Sequence, residues 1–290
     1  MVRQAGQGRL AIVAGSGKLP VHVAEAARGN GEEPLVIAIR GEADGDWSAF
    51  ETIDLGIGDI AGFKKAARAA GVDRVVLSGG IRLRPAWNRI RLNLATVWKL
   101  PGLVRTLMHG GDNLVLTTAI DLIEEEGLRV IGAHEVAPGL VATIGPIGRH
   151  RPDRQSEADI RVSIRAARLL GELDIGQGVV AVGGRVVALE GPEGTDAMIA
   201  RINMLRERGR ISTTRRGVLV KLCKPSQDVR VDLPSAGLST LTHALDAGLA
   251  GVALEAGRAL LLDRTAAVEF ADRNGLFIVG IDPDALEAGR

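Results

Sequence analysis

Tyrosine is absent from the 290 residues, and Trp and Phe together make up only 2% of the chain. Serial base-stacking platforms for single-stranded nucleic acid have nothing to be built from. Neither sign of charge dominates: 36 Lys and Arg face 35 Asp and Glu, a net charge of +1. Bulk electrostatic capture of nucleic acid is thereby set aside, and no nucleic-acid partner is expected. Cysteine occurs once, as Cys223. An intramolecular disulfide and a multi-thiolate metal site are both ruled out, and a reducing cytoplasm fits. Long apolar runs are missing too. Leu10 to Ala14 is too short for a secretory core segment, and no stretch approaches the roughly 20 residues that cross a bilayer. The expectation is a cytoplasmic protein, soluble or peripheral on a membrane surface.

Hydrophobic residues reach 46%, with a mean hydropathy of +0.15 and 38 glycines. That is ample material for packed cores and many tight turns. The first third alternates as α/β folds do. Leu10 to Ala14 turns at Gly15-Ser16-Gly17 into a helix over Leu19 to Arg28, then Leu35 to Ile39 follows. Thr52 to Leu55, a helix near Asp59 to Ala70 and Arg74 to Leu77 form a second unit. A helix from Asp112 to Gly127 leads to a strand at Leu128 to Ile131. Runs buried on both faces read as parallel strands. The Gly-, Pro- and Arg-rich segment Pro138 to Arg154 marks the junction, giving domains 1–145 and 146–290. Beyond it the grammar changes. A helix over Asp153 to Leu170 precedes a hairpin, Val179 to Val182 and Arg185 to Leu189, joined by Gly183-Gly184. Strands at Val218 to Leu222, Val229 to Asp232, Val252 to Leu254, Ala259 to Leu262 and Leu276 to Val279 alternate with helices. The fold class is α/β, with an N-terminal parallel-sheet domain and a C-terminal mixed α+β domain.

The loop Gly15-Ser16-Gly17-Lys18-Leu19-Pro20 stands where a strand hands over to a helix, so its amides suit a phosphate. A tight turn with no ligand is the alternative, because Pro20 and Leu19 break the dinucleotide and Walker patterns. Strand ends at Arg40, at Gly79 and Gly80, and at His134 and Glu135 meet the same rim. Arg82, Arg84, Arg89, Arg91 and Arg105 alternate with Trp87, Trp98 and several Leu, either an interfacial helix or one packed on the sheet. Glu190, Glu193, Thr195 and Asp196 gather behind the hairpin. Carboxylates at a turn suit a hard cation such as Mg²⁺, whereas Thr195 or Asp196 can equally cap a helix. Lys221 and Lys224 precede Asp228 and Asp232, either a pyrophosphate and metal site or solvated edge residues.

Leu-Ala-Ile-Val-Ala-Gly-Ser-Gly-Lys-Leu-Pro near the start, Asp174-Ile175-Gly176-Gln177-Gly178, Glu193-Gly194-Thr195-Asp196 and Val231-Asp232-Leu233-Pro234 stand in order along the chain. With them the sequence resembles the LpxI family of UDP-2,3-diacylglucosamine pyrophosphatases over nearly its whole length. Where that pattern has Asn after the Gly, this chain carries Gly80 and Ile81. The resemblance implies a Rossmann-like N-terminal domain and Mg²⁺-dependent hydrolysis of UDP-2,3-diacylglucosamine to UMP and 2,3-diacylglucosamine 1-phosphate (lipid X) in lipid A biosynthesis. It further implies a homodimer working at the cytoplasmic face of the inner membrane. Asp232 is the implied essential carboxylate and metal ligand, joined by Glu193 or Asp196, with Lys221 and Lys224 neutralising phosphate oxygens. Gly15, Ser16, Gly17, Lys18, Leu19, Gly79, Gly80, His134, Glu135, Gln177 and Thr195 are the implied substrate contacts. Two other readings stand beside it: an NAD(P)-dependent oxidoreductase, and a non-catalytic sugar-nucleotide-binding protein.

Overall fold

The computed structural model describes residues 8–81, 112–225 and 227–288. The chain forms two units: Met1–Pro138 with Arg230–Asp232, and Gly139–Val229 with Leu233–Arg290. The first break thus falls before the expected 145/146, and a three-residue piece containing Asp232 goes with the first unit. Val229–Val231, expected as part of a strand from its alternation, is a turn. The Arg- and Trp-rich stretch from Arg82 to Arg105 lies outside the described residues.

In the first unit, β1 (Arg9–Ala14), β2 (Leu35–Ile39), β3 (Glu51–Leu55), β4 (Val72–Ser78) and β5 (Arg129–Val130) make one sheet in the order β3-β2-β1-β4-β5. Every pairing is parallel. Helices α1 (Leu19–Gly29), α2 (Ile60–Ala70) and α3 (Asp112–Glu124) connect strands of this sheet, and α4 (Ala133–Val136) follows β5. The central strand is apolar at every buried position because both its faces are covered. Leu10 and Ile12 pack with Val23, Ala24 and Ala27 of α1, while Ala11 packs with Leu35, Ile37, Val75 and Ile120 on the other side. Local signals set the helix ends. Asp59 accepts the Gly62 N–H at 2.9 Å to start α2, and Gly71, at φ 65°, ends it in the left-handed conformation.

The second unit holds β6 (Gly145–Pro146), α5 (Arg154–Glu172), β7 (Gly178–Val182), β8 (Arg185–Leu189), α6 (Thr195–Glu207), β9 (Gly217–Lys221), β10 (Ser235–Ala236), α7 (Leu238–Asp246), β11 (Gly251–Glu255), β12 (Leu260–Leu261), α8 (Arg264–Arg273), β13 (Phe277–Ile281) and α9 (Pro283–Ala288). Six of these strands form a mixed sheet, β6-β13-β11-β9-β7-β8, whose centre β13-β11-β9 is parallel. One face is covered by Ile160, Ile164 and Ala167 of α5, the other by Met198, Ile199 and Ile202 of α6 with Leu241 and Ala244 of α7. The hairpin β7–β8 turns at Gly183 and Gly184, both at positive φ as a two-residue turn requires. Asp159 of α5, fully buried, accepts the N–H of both glycines.

Candidate active site

In the first unit the C-terminal ends of β1 and β4 are clamped by their own loops. Gly15 N–H donates to Ser78 O at 2.8 Å, Ser16 N–H to Gly80 O at 2.8 Å, and Gly80 N–H returns to Ser16 O at 3.0 Å. The Ser16 hydroxyl donates to Gly80 O at 2.9 Å, and Gly17 N–H donates to Asp44 Oδ1 at 2.7 Å. The glycines serve this clamp. A Cβ on Gly15 would stand 2.4 Å from Gly80 O, and one on Gly79, itself at φ 87°, 2.7 Å from Ser16 O.

Further along the rim, Glu135 accepts the Gly132 N–H at 2.8 Å and lies 3.6 Å from Arg129, so its carboxylate is a helix cap. His134 lies against Gly132, and its Nδ1 is buried without a hydrogen-bond partner among the described residues. Asp232 follows Val231, which packs on the core of the first unit, and Arg230, which is paired with Glu124 at 3.0 Å.

The second unit assembles a buried polar group from four elements. Lys221 ends β9, and register pairs it with Gly178 at the start of β7. On the other side of β7, Glu190 N–H donates to Gly178 O at 2.9 Å. Lys221 and Glu190 therefore flank Gly178 in one cross-strand row. The Lys221 ammonium donates to Thr195 Oγ1 at 2.6 Å and to Ser235 O at 3.0 Å. The Thr195 hydroxyl donates to Glu190 Oε1 at 2.5 Å, and Lys221 Nζ stands 3.9 Å from that oxygen. With their side chains only 5% and 9% exposed, Lys221 and Glu190 form a buried ion pair. Removing one partner alone strands the other, a loss of about 3–5 kcal/mol in such settings. Glu190 Oε2 and Gln177 Oε1 are buried acceptors without partners among the described residues.

Sequence profiles of the LpxI N-terminal and C-terminal domains match residues 9–140 and 143–279. The chain belongs to the LpxI family. A relative in Caulobacter vibrioides, named UDP-2,3-diacylglucosamine pyrophosphatase LpxI, is 40% identical over 277 residues, covering 95% of this chain and 98% of that one. Solved structures include WbmG of Bordetella bronchiseptica in complex with NAD, 16% identical over 44% of this chain and 37% of that one at a TM-score of 0.29. A GalE-like L-threonine dehydrogenase from Cupriavidus necator is 12% identical over 97% and 83% of the two chains, with a TM-score of 0.32. Superpositions this loose carry no argument about fold or function.

Several residues expected to serve this LpxI chain as ligands are engaged otherwise. The amides of Gly15, Ser16 and Gly17 all donate to protein oxygens, the third to the Asp44 carboxylate. The Thr195 hydroxyl donates its proton to Glu190. Thr195 and Asp196 do not cap α6; the cap position is Gly194, at φ 82°. Glu193 and Asp196 turn to different partners. Glu193 lies 3.9 Å from Arg201, while Asp196 accepts from Ser239 at 3.0 Å and lies 3.6 Å from His243. Among the described residues no group of three or more His, Cys, Asp or Glu side chains is placed to hold a metal. Lys224 is held 2.6 Å from Asp174, a residue strained at φ 53°. Asp44, to which sequence reasoning gave no role, and Glu190, which it read only as one of a carboxylate cluster suited to a cation, are the ones that organise the two loops. For Glu190 a signal existed: Gly176 and Gly178 leave room over β7 for its backbone and its carboxylate.

Proposed function

We propose that this chain hydrolyses the pyrophosphate of UDP-2,3-diacylglucosamine, giving UMP and 2,3-diacylglucosamine 1-phosphate, lipid X, as a step of lipid A biosynthesis. The observation that carries this reading is the near full-length likeness to the Caulobacter enzyme. A buried Lys221 whose ammonium is held by Thr195 and Ser235 supports it, because the reaction must neutralise two linked phosphates. In the mechanism, Lys221 meets the negative charge that develops on the departing phosphate. Gln177 offers its carbonyl oxygen, which has no partner among the described residues, to a hydroxyl or N–H of the sugar nucleotide. Lys18, Leu19, Gly79, Gly80 and His134 take the nucleotide half, through groups other than the committed amides. Asp232 is the carboxylate we assign to Mg²⁺, which requires only one or two carboxylates when phosphate and water oxygens complete its shell. Mg²⁺, when bound, supplies Lewis-acid polarisation of the phosphoryl oxygens.

We also propose that the protein is a homodimer working peripherally at the cytoplasmic face of the inner membrane. No described helix is long and apolar enough to cross a bilayer. Phosphorus NMR of UDP-2,3-diacylglucosamine with enzyme and Mg²⁺ tests the central claim: the pyrophosphate doublets are replaced by two monoester signals. Persistence of the doublets identifies a binding protein without turnover. The oxidoreductase reading loses its main support with the three occupied loop amides, and absence of NADPH fluorescence change on titration is the expected result.

A further inference from the structure

We infer that Glu190 is a positioning residue for this reaction, orienting Lys221 through the Thr195 hydroxyl. The inference rests on the assignment of Lys221 to the phosphates made above. Thr195 has one proton and gives it to Glu190 Oε1 at 2.5 Å, which turns its lone pairs towards Lys221 Nζ at 2.6 Å. The chain of bonds therefore runs one way, from ammonium to hydroxyl to carboxylate. Glu190 fixes that direction, and its carboxylate lies 3.9 Å from the ammonium of Lys221.

Stability does not explain the arrangement. Glu190 Oε2 is buried with no partner among the described residues, an unfavourable state for a carboxylate oxygen. Two neighbouring positions are kept free of side chains around it. A Cβ on Gly178 would stand 2.5 Å from Glu190 Oε2, and one on Gly176 would stand 2.2 Å from Glu190 O. The fold thus makes room for a buried charge that it satisfies only in part, on the one oxygen that reaches Thr195. A residue kept for packing alone would be at least as well served by a neutral side chain of the same shape.

The test compares Glu190→Gln, Lys221→Met and the double variant, measuring kcat and KM on UDP-2,3-diacylglucosamine with Mg²⁺ and melting by circular dichroism. Glu190→Gln leaves Lys221 without its buried counter-charge and is expected to melt below the wild type while remaining folded at the assay temperature. Its kcat should fall roughly 10- to 100-fold with KM changed less than about threefold, the signature of a misplaced catalytic group. The double variant should be no worse than Lys221→Met alone, because Glu190 acts through Lys221. A Glu190→Gln enzyme with wild-type kcat beside an inactive Lys221→Met enzyme overturns the inference and leaves the proposed function standing. Near-normal turnover by Lys221→Met removes Lys221 from the reaction, and the inference with it. Should Glu190→Gln not fold, Glu190→Asp serves instead: its shorter carboxylate draws back from Thr195 and kcat falls, and an unchanged kcat overturns the proposal.

Discussion

Gly178 lies directly beneath the carboxylate of Glu190, so closely that a Cβ there would come within 2.5 Å of Oε2 and 3.2 Å of Cδ. Gly178→Ala must therefore displace the carboxylate or the strand. Overpacking of this kind costs about 1–3 kcal/mol, and kcat should fall together with stability. Urea unfolding alongside steady-state kinetics checks this. An alanine variant with unaltered kcat would show that the carboxylate can move without consequence.

Asp44 reaches the strand-to-helix loop by accepting the Gly17 N–H at 2.7 Å. Asp44→Ala removes this acceptor at an exposed position, where the net loss is about 1 kcal/mol. The urea midpoint should drop accordingly. NADPH should still fail to bind, since Gly15 and Ser16 remain committed. Micromolar NADPH binding by the variant would show Asp44 alone to be the barrier.

Asp153 caps α5, accepting the Ser156 N–H at 2.7 Å. That backbone bond first, and the Ser156 hydroxyl second, hold its carboxyl below the usual aspartate range. A lowered folded value contributes stability above the unfolded value, near pH 3.9, and the contribution disappears as pH falls through the folded value. Asp153→Ala should cost about 1 kcal/mol at pH 7 and almost nothing at the acid end of the unfolding curve. Equal differences at both ends would contradict the cap.

Asp232→Asn and Glu193→Gln separate the two carboxylates once expected to share a cation. Asp232→Asn should keep its fold and lose turnover by about 1000-fold or more, the scale of a lost transition-state contact of several kcal/mol. Glu193→Gln, removed from Arg201 only, should stay within about threefold of wild type. Chelation should silence the wild-type enzyme, and added Mg²⁺ should restore it. Turnover that survives exhaustive chelation would take the cation away from Asp232.

The elements that were legible in sequence are those whose pattern has a local cause. Leu10 to Ala14 is apolar throughout because two cores meet at β1, and Gly183-Gly184 announces a hairpin because both residues need positive φ. Val229 to Asp232 misled because its alternation imitates a strand while Val229–Val231 is a turn, with Val231 packed on the core of the first unit. The contacts of the Gly15 to Lys18 loop were illegible for a different reason. Its glycines answer to Gly80 and Asp44, which lie 65 and 27 residues from Gly15 and Gly17, and no local motif reports contacts at that distance. Lys221 and Thr195 were legible as chemistry-bearing types, but the direction of their hydrogen bonds depends on the cross-strand register of β7, β8 and β9.

That register has a custodian at the far end of the hairpin. Asp159 grips both turn glycines from α5, and β8, whose last residue immediately precedes Glu190, is an outermost strand with a neighbour on one side only among the described residues. A slip of a single residue along such a margin would send Glu190 to the opposite face of the sheet. A carboxylate with no chemistry of its own thereby governs whether the Lys221 ammonium has anything to lean on.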